Sequence, residues 1–149
     1  MRSSKNDVLL SRYRTAVEAC AVMNLRQASR VVTGFFDHEL RPAGLRATQL
    51  NILMAIEVTA PRSVSAIADI LATDRTTMTR NLQLLRKRGL IDEDRLALTA
   101  KGRGAAAAAL PLWERAQATV VDTLGGERWA KLLTELAATK AAVTRRRRS

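Results

Sequence analysis

Arg75, Thr76, Thr77, Thr79 and Arg80 crowd the front of an amphipathic segment, DRTTMTRNLQLLRKRG, that closes on Arg86-Lys87-Arg88. An arginine fork can donate two parallel hydrogen bonds to one guanine edge. A threonine offers a hydroxyl to phosphate and a methyl group to thymine. Threonines are weak helix formers, so three of them in an opening turn ask for a reason beyond helix stability. Reading base edges supplies one; ordinary exposed polarity is the alternative. The three cations at the far end suit phosphates, and they also suit the negative end of a helix dipole, so both roles coexist there. Lys87 is the phosphate candidate among them. Ser63 and Ser65 stand where a preceding helix begins and would meet a sugar-phosphate backbone, with Arg62 as a weaker neighbour. Arg95 occupies a turn behind the segment and is a further candidate contact.

Other chemistry has little support. His38 is the only histidine, and Asp37, His38 and Glu39 are adjacent, so they point to different helix faces. No metal site is expected. The single Cys20 cannot form an intrachain disulfide. A reactive thiol needs donors that lower its pKa, and Tyr13 is the only tyrosine, so Cys20 reads as a structural residue. There is no Ser-His-Asp set, P-loop, dinucleotide-binding glycine turn or CxxC pair. The chain is therefore expected to have no catalytic residue and no cofactor.

The elements that would position these residues follow from periodicity. Apolar residues recur at three- and four-residue steps from Asp7 to Leu40 (Val17, Cys20, Leu25, Ala28, Val31, Val32, Phe35, Phe36), which predicts a long helix with a break near Arg14–Glu18. Pro42 and Gly44 end it. Thr48 is the expected N-cap of a helix over Gln49–Glu57, and Ser65 that of a helix over Ala66–Leu71. Ala72-Thr73 makes a turn, and Asp74 caps Arg75–Arg88, with Met78, Leu82 and Leu85 inward and Gly89 as the terminator. Leu90–Glu93 and Leu96–Thr99 read as two short strands. Thr99 or Lys101 opens an Ala-rich helix over Gly102–Leu124, which Pro111 should kink or in which it should locally free a carbonyl. Gly125-Gly126 breaks it, and Glu127–Val143 forms the last amphipathic helix, with Trp129 on its packing face. A basic disordered tail is expected over 144–149. The order helix, helix, helix, turn, helix, hairpin is that of a winged helix-turn-helix.

The fold class is thus mainly α with a small β-hairpin. The DNA-binding lobe is expected over 45–101, flanked by a helical dimerisation region over 7–44 and 102–143. Such long amphipathic ends cannot bury their apolar faces against so small a lobe, which suggests a homodimer. Composition agrees: 149 residues, 47% hydrophobic but only 3% aromatic, favour one helical body. The formal net charge of +11 favours a polyanionic partner. From Arg75 to Arg103 there are eight basic residues against three acidic ones, so the excess gathers on the same segment. Arg145–Arg148 add a second basic run, a source of nonspecific affinity or simply a solvated tail. No apolar run reaches the roughly 20 residues that span a bilayer, and the N-terminus lacks a secretory pattern, so no membrane partner and a cytoplasmic setting are expected.

Four blocks resemble the MarR family of transcriptional regulators: Asn24–Leu53, Ser63–Ile91, LTAKGR at Leu98–Arg103 and LPLWERAQ at Leu110–Gln117. Their order and spacing carry the resemblance. It implies a dimer with interleaved chain ends, double-stranded DNA with a pseudo-palindromic site as partner, and repression relieved by a small-molecule effector. It also implies an effector pocket between the dimer helices and the lobe, which Asn24, Arg26 and Trp113 would border. Only Asp92-Glu93-Asp94-Arg95 separates Ile91 from Leu96, so the wing is shorter than is usual in the family. Three acidic residues there oppose phosphate contact. Two rival readings stay open: a nonspecific basic nucleic-acid binder, and a protein-interaction dimer whose DNA binding is impaired by the short wing.

Overall fold

The computed structural model describes residues 2–148, and side chains over 6–146. Among the described residues, seven α-helices and one 3-10 turn follow one another: α1 (Arg2–Ala19), α2 (Ala21–Glu39), the turn Arg41–Ala43, α3 (Ala47–Thr59), α4 (Val64–Ile70), α5 (Arg75–Lys87), α6 (Ala100–Leu124) and α7 (Gly126–Arg148). Among the described residues no helix is long and apolar enough to cross a membrane.

The core sits in the middle of the chain. Helix α3 is its axis, burying Ala47, Leu50, Ile52, Leu53 and Ile56. Around it pack Phe36 and Leu40 from the end of α2, Ile67 and Ala68 of α4, and Met78, Leu82 and Leu85 of α5. Leu90, Ile91 and Leu98 of the wing join them, as do Ala109 and Ala116 of α6. The small alanines let α6 lie close against α2 and α3. Trp113 covers one end, its ring centroid 6.4 Å from that of Phe36.

Several boundaries differ from expectation for identifiable reasons. The first long helix breaks at Cys20, later than expected: Cys20 is extended, and Asn24 Nδ2 donates to the carbonyls of Glu18 and Cys20 across the joint. Helix α3 starts at Ala47 rather than Gln49, because Asp37, ten residues upstream, accepts from Ala47 N–H at 2.7 Å. Thr48 therefore lies inside the helix. Ser63, not Ser65, caps α4, accepting from Ala66 N–H. Helix α6 starts at Ala100, capped by Thr99, and runs through Pro111 to Leu124 as expected. Helix α7 runs on through the arginines to Arg148, in place of the expected disordered tail.

The hairpin is the largest local departure. The two expected strands shrink to one antiparallel bridge, Ile91 with Leu98. Asp92 Oδ1 accepts from the N–H groups of both Asp94 and Arg95, closing the tip with a side chain. A tip that short leaves no backbone for a longer ladder.

Candidate nucleic-acid interface

The turn before α5 is built for a sharp reversal. Ala72 adopts φ 50°, in the left-handed region, and Thr73 N–H closes back on Ala68 O at 2.9 Å. Asp74 then caps α5, its Oδ1 accepting from Thr77 N–H at 2.8 Å. The Thr77 hydroxyl and backbone N–H hold the Asp74 carboxyl below the ordinary carboxylate range. The first turn of α5 carries no acidic residue and opens with Arg75. The positive helix end is thus met by the Asp74 carboxylate, and Arg75 stands exposed beside it.

With Met78, Leu82 and Leu85 buried, helical spacing fixes what faces outward. Thr76, Arg80, Gln83 and Lys87 form one outer stripe, each of them accessible to solvent. Sequence reasoning points to three of these and misses Gln83. Its signal is present, since it lies three residues after Arg80 and four before Lys87. Arg75 and Thr77 flank the stripe and are exposed. Thr79 stands on the Arg75 flank, its hydroxyl donating to Arg75 O at 2.8 Å. Ser63 and Ser65 are exposed on the first turn of α4. The Ser63 oxygen is engaged as a cap, but its proton remains available for donation.

The back of α5 is different. Arg86 Nε donates to Asp92 O at 3.1 Å, tying the wing to the helix. Arg88 donates to Gln49 Oε1 and to Gly44 O, at 3.2 and 2.8 Å, tying α5 to the start of α3. Lys87, between them, is exposed. The LTAKGR block anchors the same end: Thr99 Oγ1 donates to Gly89 O, and Lys101 Nζ to Arg88 O. Gly102 permits this closeness, because a Cβ there would collide with the Leu90 carbonyl. In the wing, Arg95 is exposed and forms an ion pair with Asp92 at 3.5 Å. Backbone N–H groups of Asp94 and Arg95 hold the Asp92 carboxyl below its ordinary range.

The three expected effector contacts do not converge. Asn24 is engaged at the α1–α2 joint. Trp113 packs on Phe36, about 18 Å along α2 from Asn24 at the ordinary helical rise. Arg26 is exposed near Asn24. Cys20 is half-buried and free, at the helix joint.

A MarR-family model matches residues 43–97, from the α2–α3 turn through the wing. The crystal structure of the M. tuberculosis transcriptional regulator MosR is 35% identical, superposes with a TM-score of 0.79, and covers 87% of this chain and 98% of its own. The chain belongs to the MarR family. MosR in complex with DNA is likewise 35% identical, with a TM-score of 0.70 over 82% of this MarR-family chain and 98% of that one. The transcriptional repressor CouR bound to p-coumaroyl-CoA is 28% identical, with a TM-score of 0.78 over 85% and 95%. No curated protein sequence matches the chain. The family assignment makes the chain a transcriptional regulator, and the segment matched by the family model holds Ser63, Ser65, the α5 stripe and Arg95.

Proposed function

We propose that this MarR-family regulator is a homodimeric, sequence-specific DNA-binding repressor, a binding protein and not an enzyme, working in the cytoplasm. The outer stripe of α5 carries the reading. Thr76, Arg80, Gln83 and Lys87 project together from a helix held at its back, and among the described residues no carboxylate comes within ion-pair distance of Arg80 or Lys87. Arg80 reads guanine, Gln83 reads adenine through its amide, and Arg75, Thr76 and Thr77 complete the major-groove contact. Ser63, Ser65 and Lys87 position the lobe on phosphates, and Arg95 adds a wing contact. Thr79 supports the stripe from the side.

Dimerisation is supported by apolar residues left in the open on the arms: Val8, Tyr13, Val17, Val22, Val31 and Val143 are each more than half exposed. A soluble chain does not keep so much apolar surface wet without a partner. Two lobes related by a dyad require a pseudo-palindrome with half-sites about one helical turn apart. MosR has been solved with DNA, and CouR with p-coumaroyl-CoA, which supports DNA binding and relief of repression by a small effector here.

The test is an anisotropy titration of the full chain on duplexes from its own promoter region, against a scrambled duplex of equal length, at several salt concentrations. Tight binding confined to a pseudo-palindrome supports the reading. Equal affinity for both duplexes would make the chain a nonspecific basic binder, and no binding at any salt a protein-interaction dimer.

A further inference from the structure

A second basic feature lies off the reading stripe. The end of α2, the Arg41–Ala43 turn and the back half of α5 enclose an open cleft of about 610 Å³. Three guanidiniums line it: Arg41, Arg46 and Arg88. Among the described residues no carboxylate comes within ion-pair distance of any of them. The carboxylate that does line the cleft, Asp37, is engaged at the α3 N-terminus by Ala47 N–H.

Two of the three arginines are positioned by neutral groups. Arg88 is held by the Gln49 amide oxygen and the Gly44 carbonyl. Arg41 Nη2 lies 3.0 Å from His38 Nδ1, so the imidazole lone pair accepts from it. Neutral acceptors fix a cation without cancelling its charge. With Arg46 beside them, three cations around a concave surface focus positive potential. Guanidinium forks also match the spacing of phosphate oxygens.

The cleft occupies a telling place on α5. Leu84 and Arg88, which line it, immediately follow Gln83 and Lys87 of the outer stripe. They lie on the flank opposite Arg86, the residue that ties down the wing. A duplex held by the stripe would carry one sugar-phosphate strand past the wing and the other past this cleft. The wing side is short and carries three acidic residues over Asp92–Asp94, whereas the cleft side is basic.

We propose that the cleft is a phosphate-oxyanion site, and that the backbone of the bound DNA fills it, so that the lobe is clamped from the α2–α3 side and not chiefly by its wing. This rests on the reading of α5 as the DNA-reading helix. Arg41 and Arg46, both exposed, make the contact, and Arg88 forms the floor.

The experiment uses the full chain and the variants Arg46→Gln, Arg41→Gln/Arg46→Gln and Arg46→Lys, each checked for an unchanged melting curve. Anisotropy is measured on the preferred duplex and on a scrambled one over a salt series. The neutral variants are expected to weaken both duplexes by the same factor. They should flatten log K against log salt by about 0.9 for each phosphate that is no longer neutralised, hence about twice that for a two-lobed dimer. Arg46→Lys should keep most of the slope. A second arm titrates inorganic phosphate into the DNA-free protein by calorimetry. Phosphate binding abolished by Arg46→Gln, with an unchanged DNA slope, would keep the oxyanion site and overturn the DNA clamp in favour of a free phosphate ester. Unchanged slope and no phosphate binding would overturn the proposal entirely. A wild-type protein with no duplex preference would instead break the α5 reading, and the phosphate arm would still judge the cleft.

Discussion

The two halves of α5 share one helix and one charge type yet sit in opposite surroundings. At the front, Arg75, Thr76 and Arg80 project toward solvent from a turn anchored by the Asp74 cap. At the back, Arg86 and Arg88 are engaged by backbone carbonyls and the Gln49 amide, and Lys101 and Thr99 close over the carbonyls that end the helix. Charge alone does not mark a recognition residue. On the proposed reading, a recognition residue is a cation that its neighbours leave open to solvent, carried by a helix that other side chains tie down.

That contrast can be broken from either end. The largest effect should come from its shared core. Leu82→Ala removes a fully buried side chain and should cost about 2–5 kcal/mol of unfolding free energy by denaturant titration. Gly102→Ala forces α6 away from the Leu90 carbonyl, at about 1–3 kcal/mol in the same measurement. Next come the readers. Arg80→Ala should lose about 1–3 kcal/mol of discrimination at one guanine while the melting curve stays put, and Gln83→Ala should relax an adjacent adenine. The neighbours Arg86 and Lys87 sharpen the comparison further. Lys87→Ala should weaken all duplexes equally and reduce the salt slope by about one per lobe, whereas Arg86→Ala should loosen the wing and lower stability. Smaller still, Ala72→Gly relieves a left-handed alanine and should add about 0.5–1 kcal/mol of stability without altering sequence preference.

The smallest effect is on pH. The carboxyl of Asp74 is held low in the folded state by Thr77, so its contribution is present above the unfolded carboxylate pKa. It is lost as pH falls through the lowered folded value. Asp74→Asn should remove that acid-limb dependence in a pH series of melting temperatures and retain the cap.

The lobe is largely legible in the sequence because its signals are local. The 3-4 spacing of Met78, Leu82 and Leu85, the Asp74 cap and the Gly89 stop all act within a few residues, and the structure agrees at each. What the sequence hides depends on partners far along the chain. Asp37 sets the start of α3 from ten residues away, and Gln49 engages Arg88 from thirty-nine away. No local pattern says that Arg88 turns inward while Lys87 turns out. Ser65 reads as the cap of α4, whereas Ser63, two residues earlier, is the one that accepts from Ala66 N–H. LIDEDRLAL reads as two short strands, whereas the Asp92 side chain closes the tip after a single bridge. On the arms, the apolar stripe of α1 and α2 is readable, but one chain does not bury it.

The central claim is that the front of α5 reads sequence. Its most direct test compares wild type and Arg80→Ala on a pseudo-palindromic duplex and on one with a single guanine replaced in each half-site. Wild type should prefer the intact site by about tenfold or more, and the variant should bind both alike. An Arg80→Ala protein that keeps the full preference would contradict the account.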